Sequence, residues 1–148
     1  MATTIDTAVT ALQTAITAAL GPAPGTAAIA ACRRKYIIPA REHDRPVVGL
    51  IIDRGRRLGG LDDNAKWETT VLVQILAAAE REDAEAACLE LLAAVLAVVD
   101  AVNGGGSAGG FWDLPAWEYW TEMNAPTVPC GVLMTLRLRT DGPLAVAE

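Results

Sequence analysis

Residues 66–102 read KWETTVLVQILAAAEREDAEAACLELLAAVLAVVDAV, and the spacing of the apolar side chains changes within this stretch. In Lys66–Ala78 every second side chain falls on the same face, which predicts a β-strand. In Glu80–Val102 apolar residues recur three and four positions apart, which predicts an amphipathic helix that ends at Asn103-Gly104. One predicted face of the strand carries Trp67, Thr69, Val71, Val73 and Ile75.

The segments on either side extend this pattern to a complete small domain. Apolar residues at helical spacing predict a helix over Thr4–Leu20, which Gly21-Pro22 terminates. Further predicted elements are a short helix at Thr26–Lys35, an extended segment at Tyr36–Ala40, strands at Pro46–Asp53, Ala116–Glu122 and Cys130–Thr140, and a long loop at Arg54–Asn64. On the last strand one predicted face carries Val132, Met134, Leu136 and Leu138, and the other carries Gly131, Leu133, Thr135, Arg137 and Arg139. The two main helices and four strands follow the order α-β-β-α-β-β. This order predicts an α/β (α+β) two-layer sandwich, in which both helices cover one face of a four-stranded, largely antiparallel sheet. One domain over 1–140 and a C-terminal tail over 141–148 are expected.

Composition narrows the class of protein. The chain has 148 residues, 52% of them hydrophobic and 20% charged, which excludes a disordered chain. Its net charge of −6 argues against a general nucleic-acid binder. The longest apolar segment contains Glu85, Glu90 and Asp100, so a helix packed on a sheet is favoured over a membrane span.

The three cysteines are far apart in the sequence and include no Cys-x-x-Cys pair. This pattern predicts neither a disulfide framework nor a zinc site, and it favours a reducing compartment such as the cytoplasm. Cys88 falls among the apolar positions of its predicted helix, so we expect a packed thiol there.

Basic residues are concentrated in one segment. Eight of them and only three acidic residues lie between Arg33 and Arg57, so this segment carries +5 in a chain of net charge −6. Such a segment is either an ordinary solvated surface with extended arginines or a basic edge that meets an acidic surface of an identical neighbour or passing DNA. The interface candidates are Arg33 and Arg34, together with Arg54, Arg56 and Arg57 on the predicted loop.

Aromatic residues follow the glycine-rich stretch Gly104–Gly110, which predicts a flexible connector. Four of them, Trp112, Trp117, Tyr119 and Trp120, lie within a short window. On a strand Trp117 and Tyr119 share one face, whereas Trp120 lies on the other, so these side chains cannot all point inward. About half are expected in the core, and Trp112 and Trp120 are the candidates for an interface.

Residues able to carry catalysis are few and scattered. His43 lies between two carboxylates, but adjacent side chains of an extended chain diverge and do not converge on one ion. Ser107 lies within the glycine run without rigid support. The Asp62-Asp63 pair with Glu68 matches no EF-hand spacing. We therefore predict no catalytic residue, no metal site and no cofactor.

Taken together, several stretches of the chain resemble the tail terminator proteins of long-tailed bacteriophages. They are the opening helix IDTAVTALQTAI, the strand RPVVGLIID with the polar loop after it, the strand WETTVLVQIL, the helix DAEAACLELLAAVLAVVDAV and the closing strand GVLMTLRLRT. The resemblance covers most of residues 1–140. The long basic segment before the first strand and the GGGSAGG stretch depart from the family pattern.

The resemblance implies a virion structural protein and not an enzyme. It implies a ring, most often a hexamer, that caps the tail tube, ends its polymerisation and forms the head–tail joint. The partners would be further copies of the chain, the tail tube protein and a head-completion or neck protein. DNA would pass through the lumen without sequence-specific binding, and no membrane is involved. The location would be the head-proximal end of a contractile or flexible tail, after assembly in the host cytoplasm.

Two other readings remain open from the sequence. One is a head-completion or adaptor protein of the same neck. The other is a small cytoplasmic ligand-binding or regulatory domain, in which the aromatic cluster beside the glycine run lines a pocket.

Overall fold

The computed structural model describes residues 4–21, 29, 31–34, 46–59, 66–80, 84–104, 110–121 and 127–141. These residues form two helices and five strands. In chain order the elements are α1 (Thr4–Leu20), β1 (Ala31–Arg33), β2 (Val47–Gly59), β3 (Lys66–Glu80), α2 (Ala84–Gly104), β4 (Gly110–Thr121) and β5 (Thr127–Asp141). The predicted mixed α+β class is confirmed.

The described strands form one sheet in the order β1-β2-β3-β5-β4. All neighbours are antiparallel except β1, which runs parallel to β2 and places Cys32 opposite Val48. The sheet therefore differs from the predicted four-stranded layout in strand number and order. The short helix predicted over Thr26–Lys35 is wrong at Ala31–Arg33. Pairing with β2 outweighs the helix propensity of this alanine-rich segment, because tertiary contacts override local propensity.

The core lies between the helices and one face of the sheet. On β3 the buried side chains of this inner face are Thr69, Val71, Val73 and Ile75, and on β5 they are Val132, Met134, Leu136, Leu138 and Thr140. This alternation confirms the predicted faces of both strands. α2 packs on β3 and β5, and α1 packs beside α2. The strand pattern was readable because burying one face requires a period of two.

The β2–β3 hairpin is longer than its sequence indicates. Arg54–Gly59 was predicted as loop but continues β2, paired with Lys66–Thr70 across register shifts at Ile52/Arg54 and Arg57/Gly59. All residues from Ile52 to Gly59 are exposed. An exposed strand needs no apolar alternation, so the glycines and arginines of this segment resemble a loop. Similarly, Glu80 ends β3 and does not begin α2, which starts at Ala84.

Helix α1 ends as predicted, at Leu20, and is tied to β1. The Gly21 amide donates to the Thr17 carbonyl at 2.8 Å, and a Cβ atom on Gly21 would overlap the same carbonyl oxygen. The Gln13 side-chain amide donates to the Cys32 carbonyl at 3.0 Å, which fixes the edge strand against the helix.

The cysteines differ from the prediction. Cys88 is buried in the core but is disulfide-bonded, so the expected packed thiol is wrong. Cys32 is free and buried, and burial raises the pKa of its thiol to about 11 because the thiolate would lose its hydration. Spacing in the sequence did not indicate the bond, because it is the fold that brings distant cysteines together.

Within the described ranges, neither helix is long and apolar enough to cross a membrane.

Candidate functional site

The outer face of the sheet, opposite the helices, carries two rows of charged residues that cross the strands. In the first row Glu68 of β3 lies between Arg56 of β2 and Arg139 of β5. In the second row Thr70 of β3 lies between Arg54 of β2 and Arg137 of β5. We call the four residues Arg54, Arg56, Arg137 and Arg139 the arginine face. Strand pairing thus joins two segments that are distant in the sequence.

Glu68 holds the first row together. Its carboxylate lies 3.3 Å from the Arg56 guanidinium and 3.8 Å from that of Arg139, and only 9% of its side chain is exposed. Arg139 also approaches the Asp113 carboxylate of β4, at 3.5 Å. A carboxylate withdrawn from water is stable when it is paired in this way. Glu68 therefore links the exposed part of β2 to the centre of the sheet.

The second row lines a hollow of about 530 Å³. Thr70, Leu72 and Thr135 form part of its lining, together with the more exposed Arg54 and Arg137. Arg54 is 81% exposed and meets Asp53 at 3.2 Å, and Arg137 forms no ion pair with the side chains that the structure describes. These two guanidinium groups can therefore receive an incoming anionic group, because arginine binds carboxylates with two parallel hydrogen bonds.

Exposed apolar side chains border the arginine face. A second hollow, of about 520 Å³, is lined by Leu58, Phe111 and Arg139 among others. Phe111 is 52% exposed and Leu58 is 44% exposed. Aromatic residues and arginine are enriched in protein–protein interfaces, where lysine and carboxylates are depleted. This combination is therefore typical of a surface that meets another protein.

The structure separates the arginines that the sequence grouped together. Arg54 and Arg56 belong to the arginine face, but on a strand and not on the predicted loop. Arg57 lies opposite Trp67 on the other face of β2. Arg33 is exposed on β1, whereas Arg34 binds Asp6 of α1 at 3.0 Å. Among the five arginines proposed from the sequence, only Arg54 and Arg56 come together in this site.

The aromatic candidates are divided in the same way. Trp112 was expected at an interface, but only 3% of it is exposed and it packs in the core, so this expectation is corrected. Trp117 is 47% exposed, and Tyr119 packs partly against the core. Trp120 lies opposite Gly131 in the strand register, and its side chain is outside the described residues. An inward position opposite buried Leu138 explains the burial of Trp112.

Arg137 and Arg139 were not among the residues proposed from the sequence. Both were predicted on the outward face of the last strand, without a connection to Arg54 and Arg56. The available signal was the alternation in GVLMTLRLRT, which turns both arginines away from the core. Arg137 and Arg139 come close to Arg54 and Arg56 only because β3 pairs with both β2 and β5. The registers of these two strand pairs are set by tertiary packing.

We expect Glu68→Gln to lower the free energy of unfolding by about 1–2 kcal/mol, less than the roughly 3–5 kcal/mol for breaking a fully buried pair. The effect is reduced because Arg56 and Arg139 are 70% and 50% exposed and can turn to water. Urea denaturation measures it. Glu118→Gln is the matched control, since Glu118 is exposed on the same face of β4 and should change stability by under about 0.5 kcal/mol. Equal effects of the two substitutions would show that Glu68 does not hold the row together.

Most residues considered for catalysis or metal binding lie outside the described part of the chain. No group of three or more His, Cys, Asp or Glu residues within the described part of the chain is arranged to hold a metal ion. His43, Asp62, Asp63 and Ser107 lie outside the described residues. Comparison of the sequence with models of protein families and with curated proteins finds no match.

Proposed function

We propose that this chain is a tail terminator of a long-tailed bacteriophage, a structural protein that assembles as a ring on the end of the tail tube. In this role it stops polymerisation of the tube and presents a surface to the neck proteins. The observation that supports the proposal best is the part of the outer sheet face around the arginine face, which neither of the described helices covers. It offers four arginines and a bordering exposed phenylalanine, and its central side chains, including Leu72 and Thr135, are only partly buried.

A site for a small molecule is less well supported by the same surface. Pockets for small ligands are enclosed and mostly apolar, with a few placed polar groups. The hollow beside Arg54 and Arg137 has a suitable volume of about 530 Å³, but its lining includes three arginines and two carboxylates on an open sheet. A broad charged surface of this kind suits a protein partner better than an enclosed ligand.

Assembly is the property that tests the proposal. We expect the purified protein at high concentration to form closed rings of uniform size, most often six-fold, in negative-stain electron micrographs. We also expect it to bind the ends of tubes assembled from the cognate tail tube protein and to stop their elongation. Tube length with and without the protein gives the second readout, and bovine serum albumin at equal concentration is the control.

Two other outcomes would favour a neck adaptor or a ligand-binding domain over a tail terminator. Binding to the head connector without binding to tube ends would indicate a neck adaptor. A monomer that ignores tubes and connector, but whose melting temperature rises saturably with one small molecule, would indicate a ligand-binding domain.

A further inference from the structure

Helix α2 presents an acidic surface on the side of the molecule opposite the arginine face. Its buried side, which includes Leu92, Val95 and Val99, packs towards the core above β3 and β5. Its exposed side carries Glu90, Ala93, Ala97 and Asp100. These four residues follow one another at spacings of three, four and three, so they form one line along the helix. We call this line the α2 stripe.

The α2 stripe and the arginine face are complementary in charge and similar in size. Glu90 and Asp100 are ten residues apart, which is about 15 Å along a helix. Arg54 and Arg137, the two arginines of the second row, lie two strands apart, about 10 Å on the spacing of a sheet. Arginine side chains can bridge this difference. Ala93 and Ala97 between the carboxylates leave room for a sheet to approach the helix closely.

We propose that the arginine face of one copy of this chain binds the α2 stripe of the next copy. The inference rests on the proposed function, in which copies of the chain form a ring, and it names the surfaces that join them. The two surfaces lie on opposite layers of the same subunit. A contact between them is therefore head-to-tail: each copy binds one neighbour with its arginine face and the other neighbour with its α2 stripe. Such contacts close into a ring when the rotation between neighbours permits.

The four arginines of the arginine face differ in how they are paired within the chain, and the contact accounts for this difference. Glu68 and Asp113 pair with Arg56 and Arg139 within the chain. Arg137 has no ion pair among the described residues, and Arg54 is largely in solvent beside Asp53. Arg54 and Arg137 are therefore the groups that receive Glu90 and Asp100, whereas Arg56 and Arg139 shape the face. A carboxylate that enters there forms a charge-assisted hydrogen bond with arginine. The same arginines repel a positively charged partner.

Charge reversal on each surface, followed by mixing, tests this contact. The first variant is Arg54→Glu/Arg137→Glu, and the second is Glu90→Arg/Asp100→Arg. Each variant alone has two surfaces of like sign, so we expect the concentration needed for assembly, measured by sedimentation velocity, to rise at least about tenfold. Mixed in equal amounts, the variants are complementary at every contact. We expect the mixture to assemble at about the wild-type concentration and to give rings with alternating subunits.

The control places two positive charges on the other helix. Thr14 and Ala18 are exposed on α1 and lie one turn apart, so Thr14→Arg/Ala18→Arg should leave assembly unchanged. Circular dichroism establishes that each variant is folded. If a reversal variant does not fold, the neutral pairs Arg54→Gln/Arg137→Gln and Glu90→Gln/Asp100→Gln replace it, and each should weaken assembly.

The outcomes separate this inference from the proposed function. Rings that survive reversal of either surface contradict the contact and leave the terminator proposal standing. Rings that persist while the first variant loses affinity for duplex DNA at low salt would assign the arginine face to DNA, and the contact would again be wrong. A wild-type protein that stays monomeric at the highest concentration, with and without tube ends, contradicts both.

Discussion

Replacing Trp112 by alanine is expected to lower the free energy of unfolding by about 3–5 kcal/mol, a third or more of the stability of many domains. The indole is 3% exposed and lies on the inner face of β4, opposite the fully buried Leu138. Removing it leaves a cavity that the surrounding side chains fill only in part. Chemical denaturation followed by circular dichroism measures the loss, since tryptophan fluorescence itself changes in the variant.

The Trp112 backbone adds to the importance of this position. The side-chain amide of Asn103, near the end of α2, donates to the Trp112 carbonyl at 2.7 Å and accepts from the Trp112 amide at 2.9 Å. These two bonds resemble the pairing that a neighbouring strand would give. They satisfy the Trp112 amide and carbonyl on β4, which is an edge strand of the described sheet. Helix, strand and indole thus fix one another.

The matched control for Trp112 is Trp117→Ala on the same strand. Trp117 is 47% exposed, so we expect its replacement to cost about 1 kcal/mol or less. If Trp112→Ala unfolds no more easily than Trp117→Ala, the assignment of Trp112 to the core is wrong. A loss of assembly without a loss of stability would restore it to the interface.

The elements that bury one face were predictable from the sequence. Thr4–Leu20 emerged as α1 with the predicted bounds, and the alternating faces of β3 and β5 were assigned correctly. In each of these segments burial imposes a period, of 3.6 or of two, on the apolar residues. The sequence therefore records which side of each element meets the core.

The elements that bury little were not predictable. β1 has three residues, and the second half of β2 is exposed, so neither leaves a pattern in the sequence. The candidate site depends on the same features. Arg54 and Arg56 lie on the exposed half of β2, and they meet Arg137 and Arg139 only through the registers of two strand pairs. Register is a property of the packed sheet, which local sequence does not encode.

Two leucines on β5 test whether the inner face of the sheet is buried and the outer face open. Leu136→Ala is the substitution with the larger expected effect. Leu136 lies on the inner face opposite Val71, and both side chains are fully buried. We expect a loss of about 2–5 kcal/mol, because the deleted methyl groups lose their burial and leave a cavity between sheet and helices. Urea denaturation of the dilute protein, where monomers prevail, measures it.

The companion substitution is Leu133→Ala on the outer face of the same strand. Leu133 is only partly buried, between Gln74 of β3 and Glu118 of β4. In dilute protein we expect a loss of about 1 kcal/mol or less, since water already reaches this side chain. At concentrations that favour assembly the same substitution should cost more, because a neighbour that covers the outer face buries Leu133 as well. A loss as large as that of Leu136→Ala in the monomer would mean that the outer face is covered within the chain, and the arginine face would then not be open to a partner.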